Sequence, residues 1–321
     1  MTDLLLIKEK IKQFLGKYEI YLKPLGKFLL AFISISMINS ALGYMERITA
    51  LPVVLVVALM CSFMPNNFTL FAAGLFTVLH IYFLSLECAL VVGVVFVLMG
   101  LLYLRFSPKS SLVLLILPIC FVLKIPYVVP ICVGLLYAPV SAFAVACGSV
   151  VYCVISYVSK KATELGMLES EELTSRFRYV VDGLIGNRVM ILYMVAFSIT
   201  VILVYVIRRL SINYAWTIAI GAGAVVQMIT LLIGDMILDT GISIVGIFLG
   251  NILAAAIAIV VQFFFFHLDY NRAEQVQFED NEYYYYVKAI PKITVSKTSK
   301  SVKKINSQSE KKVRQVNGTD S

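Results

Sequence analysis

The sequence predicts an all-α, polytopic bundle of membrane-spanning helices, and three observations predict it. Hydrophobic residues make up 60% of the 321-residue chain and charged residues only 14%, against about a quarter charged in soluble domains. Mean hydropathy is +0.90, and the apolar runs between residues 28 and 266 hold enough residues for roughly eight to ten crossings of a hydrocarbon layer about 30 Å thick. The runs are continuous rather than alternating, which excludes the short-strand pattern of an outer-membrane barrel. Net charge is +8, with the basic residues gathered outside the apolar runs, as the positive-inside pattern requires. No folded basic domain stands ready to present that charge to nucleic acid. The lipid bilayer is the expected partner.

Residues 1–27 place Leu4, Ile7, Ile11, Phe14 and Tyr18 at three- and four-residue steps among Lys8, Lys10, Lys12, Lys17, Lys23 and Lys27. This is a basic amphipathic helix of the kind that lies along an anionic inner leaflet. The first long apolar block begins only near Phe28, so the segment reads as cytoplasmic and uncleaved. Residues 28–159 form an amino-terminal transmembrane bundle. Its first span, residues 28–44, carries Ser34, Ser36, Asn39 and Ser40, small polar residues suited to helix contact. The run at 51–64 stops at Pro65 and is short for a span, so it either tilts or pairs as a re-entrant half with the next run. Spans near 68–85 and 88–104 follow, parted by Glu87. Lone His80 reads as a hydrogen-bonded packing residue.

Between residues 111 and 159 the apolar character is nearly unbroken, yet Pro118, Pro126, Pro130 and Pro139 interrupt it. Proline removes a backbone donor and clashes with the preceding turn. The segment therefore divides into a short helix, a turn at Lys124-Ile125-Pro126, a half-length piece and a full span ending at Lys160-Lys161. Broken helices are tolerated in a membrane only inside protein or around water, which makes Lys124 a candidate for a polar pathway. Residues 160–188 are the one sizeable polar internal loop, acidic first and basic later, with a greasy edge from Leu165, Leu168, Leu173 and Phe177. Its Lys and Arg content assigns it to the cytoplasm. It is expected to divide the chain from a carboxy-terminal bundle at residues 189–266.

In that second bundle Asp235 and Asp239 lie four residues apart at one bend. On a helix this spacing stacks both carboxylates on one face, and intramembrane acids ordinarily face a cavity or a partner. Asp235 and Asp239, with Gln227, Asn251 and Lys124, are the candidate substrate- or ion-binding residues. Small faces at Gly221 to Ala224 and at Gly246 and Gly250 allow helices to approach closely. Residues 267–321 form a tail expected on the cytoplasmic side, since nine Lys or Arg lie between Lys288 and Arg314 against one acid, Glu310. Beyond residue 293 it is expected to be disordered. Tyr283, Tyr284, Tyr285 and Tyr286 make a strand-prone run that could add to a partner's sheet. With both termini assigned to the cytoplasm, an even number of spans is required. The loop at 160–188 resists that scheme, because a single crossing after it places Arg208 and Arg209 outside.

No Walker loop, HExxH, GxSxG or Rossmann fingerprint occurs, so neither an enzyme nor a cofactor is expected. With two histidines and six cysteines set in apolar runs without a CxxC pair, no metal is expected either. Two readings follow. One is a transport or permease-type protein of the plasma membrane, moving or binding a small solute or ion at a polar site between broken helices. The other is a non-catalytic envelope anchor that recruits soluble energy-coupling or assembly subunits through its loop and tyrosine tail.

Overall fold

The computed structural model describes residues 2–167, 173–265, 274–279 and 284–289. It is an all-α polytopic helix bundle with seven helices long and apolar enough to cross a membrane. The order is α1 (Thr2–Lys17), α2 (Glu19–Ala41), α3 (Glu46–Thr49), α4 (Leu51–Phe63), α5 (Asn66–Leu84), α6 (Leu86–Phe106), α7 (Ser111–Val122) and α8 (Val128–Leu136). A 3-10 turn at Pro139–Ser141 leads into α9 (Ala142–Lys160), followed by α10 (Ala162–Met167), α11 (Leu173–Ile185), α12 (Arg188–Arg208), α13 (Ala215–Leu238) and α14 (Ile244–Phe265). Residues 12–266 form one compact unit, and residues 1–11 with 267–321 form a second. The strands among the described residues are β1 (Glu274–Glu279) and β2 (Tyr284–Ala289), an antiparallel hairpin that pairs Tyr284, Tyr285 and Tyr286 with Glu279, Phe278 and Gln277. The tyrosine run is thus strand, as its composition suggested, with one edge already paired inside the chain; Tyr283 lies outside the described residues.

Side-chain caps set several helix starts. Ser85 Oγ accepts from Cys88 N at the start of α6, and Asn187 Oδ1 accepts from Met190 N at the start of α12, each satisfying a donor that the first turn leaves unpaired. Pro118 sits inside α7 and has no N–H to offer the Leu114 carbonyl. Gly148 of α9 packs there: a Cβ on it would lie 3.4 Å from that carbonyl oxygen and 3.1 Å from the Leu117 side chain. The glycine lets α9 close on the broken stretch.

Cross-helix hydrogen bonds fix two ends of the main unit. Ser62 Oγ donates to the Pro24 carbonyl and Lys27 Nζ to Met64 O, so the end of α4 is level with the start of α2. The Tyr103 hydroxyl lies 3.2 Å from Asn67 Oδ1 and 2.8 Å from Pro108 O, and Ser110 meets Ser141 at 2.9 Å. Arg208 donates to Tyr137 O and its guanidinium lies over the ring of Trp216, 5.8 Å from the centroid. Gln262 near the end of α14 donates to Thr217. All of these belong to one end, the base, where α2 enters and α14 leaves. At the other end, the rim, Asn39 meets His80, Ser159 donates to the Ala41 carbonyl and Arg188 donates to Leu238 O.

This arrangement corrects the sequence-based topology. The loop at 160–188 joins the rim ends of α9 and α12, opposite the end at which the first span begins and the last one finishes, so it cannot share a side with both. With the loop at the rim, α2, α4, α5, α6, α9, α12, α13 and α14 alternate direction, and Arg208 and Arg209 fall at the base. The α4 run pairs antiparallel with α2; at thirteen residues it rises about 20 Å, and like α7 it is shorter than the seven membrane-length helices. The re-entrant element is α7 with α8: twelve residues in α7 rise about 18 Å, well short of a hydrocarbon layer about 30 Å thick. Cysteines placed at exposed Lys109 and Arg209 in a variant without native thiols should therefore label from one side of the membrane. Those at Thr163 and Asp239 should label only from the other; Lys109 and Thr163 labelling together would refute the arrangement.

One hydrophobic core joins α7, α8 and α9 to α12, α13 and α14 around Leu117, Ile131, Phe197 and Ile220. Another joins α2, α4, α5 and α6 to α9 and to Val180 and Leu184 of α11. Helices on both sides of the polar loop thus share a core within the one compact unit. α11 lies with that apolar face inward while Arg178 and Asp182 remain exposed. His80 is fully buried, its Nδ1 accepting from Met45 N and its Nε2 facing Asn39 Oδ1.

Candidate functional site

The feature that gathers polar groups is the tip of the re-entrant pair. α7 ends in a two-bond C-cap: Ile125 N donates to Cys120 O at 2.8 Å and Lys124 N to Phe121 O at 3.0 Å, with Pro126 blocking further helix. Lys124 occupies the left-handed position of this motif, φ 62°, where glycine is usual and a side chain costs about 1–2 kcal/mol. From this turn Lys124 lines a bowl of about 430 Å³ together with Lys160, Lys161, Asn187 and the tyrosines 127, 152, 157 and 193. That size lies within the ordinary range for small-molecule sites.

Register places Lys124 in depth. α7 and α9 run parallel, with Ser110 beside Ser141, Leu117 beside Gly148 and Phe121 stacked on Tyr152 at 4.2 Å. The constant offset puts Lys124 level with residue 155, about 7.5 Å below Lys160. Below it an aromatic floor holds the geometry: Phe121 also meets Tyr193 edge-on at 4.9 Å, and Phe197 contacts Phe121, Tyr127 and Tyr193. Aromatic pairs of this kind contribute about 0.5–1.5 kcal/mol each beyond area burial, so α7, α9 and α12 are held together beneath the lysines.

No Asp or Glu among the described residues lines the bowl. Glu164 sits just outside, 2.6 Å from Lys161. The hydrogen bond from Lys161 holds the Glu164 carboxyl below its ordinary range, and the same bond raises the Lys161 pKa. Lys161 thus keeps its charge throughout the neutral range. The local field is positive, and the chemistry it suits is an anion.

α9 is a ridge between this bowl and a second cavity. Residues 153, 157 and 161 line the bowl alone, residues 151, 155 and 159 line only the second cavity, and Tyr152, Ser156 and Lys160 line both. Each set is one i, i+4, i+8 row of the helix. The second cavity is a groove of about 850 Å³ running from Ala41 and Lys160 at the rim to Tyr103 and Leu104 at the base. Among its described lining residues Lys160 alone is charged.

The other sequence-predicted residues fall elsewhere. α13 ends at Leu238 and Asp239 is left-handed, φ 49°, so the two aspartates do not stack on one helical face. Asp235 is half-buried, its Oδ1 accepting from Thr240 Oγ1 and, at 3.0 Å, from Ile242 N. Asp239 is exposed at the turn. Asp235 acts as the clasp of the α13–α14 corner, so Asp235→Ala should lower the melting temperature in detergent. An unchanged melting point would disprove the clasp.

Gln227 and Asn251 lie deeper. The Thr217 and Gln262 pairing sets residue 227 level with residue 252, so the two amides share a depth. Gln227 donates to Tyr127 O and Asn251 to Ile247 O, leaving Gln227 Oε1 and Asn251 Oδ1 buried without a protein partner. They stand behind the Tyr127 turn instead of beside the aspartates, and neither lines the bowl. Gly250 receives the Tyr127 ring where any Cβ would collide with it. Sequence reasoning named Lys124 but missed Lys160 and Lys161, which it read as a span boundary. Their signal was available: a pair of lysines continuing two rows of α9 that also carry Tyr152, Ser156 and Tyr157.

Comparison of the chain with family models, with curated proteins and with solved structures returned no match.

Proposed function

We propose that this integral membrane protein is a transport or permease-type protein of the plasma membrane whose cargo is anionic and binds in the bowl at the re-entrant tip. The single observation that carries the reading is Lys124 held left-handed at the end of a broken helix, converging with Lys160 and Lys161 on a cavity without a lining acid. A hydrogen bond to a charged partner contributes about 1.5–3 kcal/mol, so three ammonium groups suffice to select a small anion over its neutral analogue. The base, to which the basic tail is attached, is the cytoplasmic side by the positive-inside rule. The bowl then opens outward, and both termini are cytoplasmic. In this reading the aspartate corner is structural and the cargo site lies at α7, α9 and α12.

The test is a panel of anionic, neutral and cationic compounds, both water-soluble and amphiphilic, assayed by thermal shift on purified protein and by transfer across proteoliposomes. Anionic members should stabilise the protein, and Lys124→Gln/Lys160→Gln/Lys161→Gln should remove the effect while leaving the unliganded melting temperature nearly unchanged, as for exposed surface changes. Equal stabilisation by neutral compounds, or a triple variant that still responds, would overturn the reading.

A further inference from the structure

The bowl and the groove share α9 as a wall, and Lys160 on that wall is the one charged residue among the described residues that line the groove. The groove extends from rim to base and is lined mostly by apolar side chains and glycines of α2, α5, α6, α7 and α9. Where it reaches the rim it meets Lys160, which also faces the bowl with Lys124 and Lys161. A free anion would use the bowl and leave the groove idle. A neutral lipid would use the groove and leave the bowl, whose lysines include Lys124 and Lys160 with no carboxylate in its lining, unused.

Resting on the reading of the bowl as an anion site, we infer that bowl and groove are two halves of one site for an anionic amphiphile of the membrane. Its phosphate-type headgroup lies among Lys124, Lys160 and Lys161, and its hydrocarbon chain descends the groove along α9. Ammonium groups of lysine are point-charge donors suited to phosphate. Tyr152 and Ser156, next along the shared row, hold the connection between head and chain with an aromatic face and a hydroxyl. On α6, Gly93 and Gly100 line the groove with nothing within 4 Å of a Cβ, which leaves room for the chain at those two levels.

The experiment separates head from chain. Full-length protein in a neutral detergent is titrated with phosphatidate, with glycerol 3-phosphate as the soluble headgroup, and with diacylglycerol as the chain alone, and binding is read as thermal stabilisation. Phosphatidate should bind at least about tenfold more tightly than glycerol 3-phosphate, since several buried methylenes each add to affinity, and diacylglycerol should give no comparable effect. Lys160→Gln should weaken phosphatidate. Gly100→Leu, which projects into open groove and favours helix, should weaken phosphatidate while sparing glycerol 3-phosphate. Equal binding of the two phosphates, unaffected by Gly100→Leu, would overturn the lipid inference and leave the anion site standing. Diacylglycerol binding as well as phosphatidate would overturn it in favour of a chain-only groove. Failure of both phosphates to bind would sink the bowl and the lipid inference together.

Discussion

Exchange of Lys124 for glycine is expected to leave the protein at least as stable as the parent while costing it about tenfold or more in affinity for an anionic ligand. The two effects separate because they have different causes. The residue stands at φ 62° in the cap of α7, a conformation that costs a non-glycine residue about 1–2 kcal/mol. Glycine relieves that cost and loses about 0.5–1 kcal/mol through its freer unfolded chain, so the net change is a gain of up to about 1.5 kcal/mol. The backbone bonds of the cap need no side chain. Affinity falls because one charge-assisted contact, about 1.5–3 kcal/mol, is removed from the bowl. Thermal unfolding and ligand titration on the same preparation check both halves. A glycine variant that melts lower and binds normally would mean that the lysine serves the turn and not a ligand.

Gly134→Ala is expected to destabilise the protein by about 1–3 kcal/mol, as overpacking of a close contact does, and to loosen the re-entrant pair. A Cβ there would sit 2.7 Å from Val204 Cβ and 2.9 Å from the Val201 carbonyl oxygen. Neither is the far end of a flexible chain, so α8 must move away from α12. Val204→Ala should fail to rescue it, because Val204 Cβ and the carbonyl remain. Gly221→Ala is the control: nothing lies within 4 Å of its Cβ, and the change should be neutral or slightly stabilising through helix propensity. Thermal stability in detergent decides, and a neutral Gly134→Ala would show that α8 and α12 are not in this contact.

The sequence made the membrane helices, the proline-broken stretch and the turn at Lys124 legible, because each follows from local composition and backbone chemistry. The small faces were half legible. Gly223 and Gly250 do receive Val204 and Tyr127, whereas Gly221 faces open space and Gly246 meets only its own loop. The aspartate pair misled because four-residue spacing signals a shared face only while the chain stays helical, and α13 stops between the two. The bowl was illegible for another reason. It is made by α7, α9, α12 and α14 meeting across long separations, and no local pattern reports such a meeting. The loop and the two termini could not be placed at opposite ends from sequence, because that depends on α7 and α8 returning to the base and on α9 rising from it, which no local pattern of Lys and Arg reports.

α8 is fastened at both extremities: Arg208 holds the Tyr137 carbonyl at the base, and Gln227 holds the Tyr127 carbonyl beside the tip. A piston stroke of the re-entrant pair would have to break both of these clamps at once and leave the buried Gln227 amide without its donor bond. α8 is therefore a fixed wall of the bundle and not a moving part.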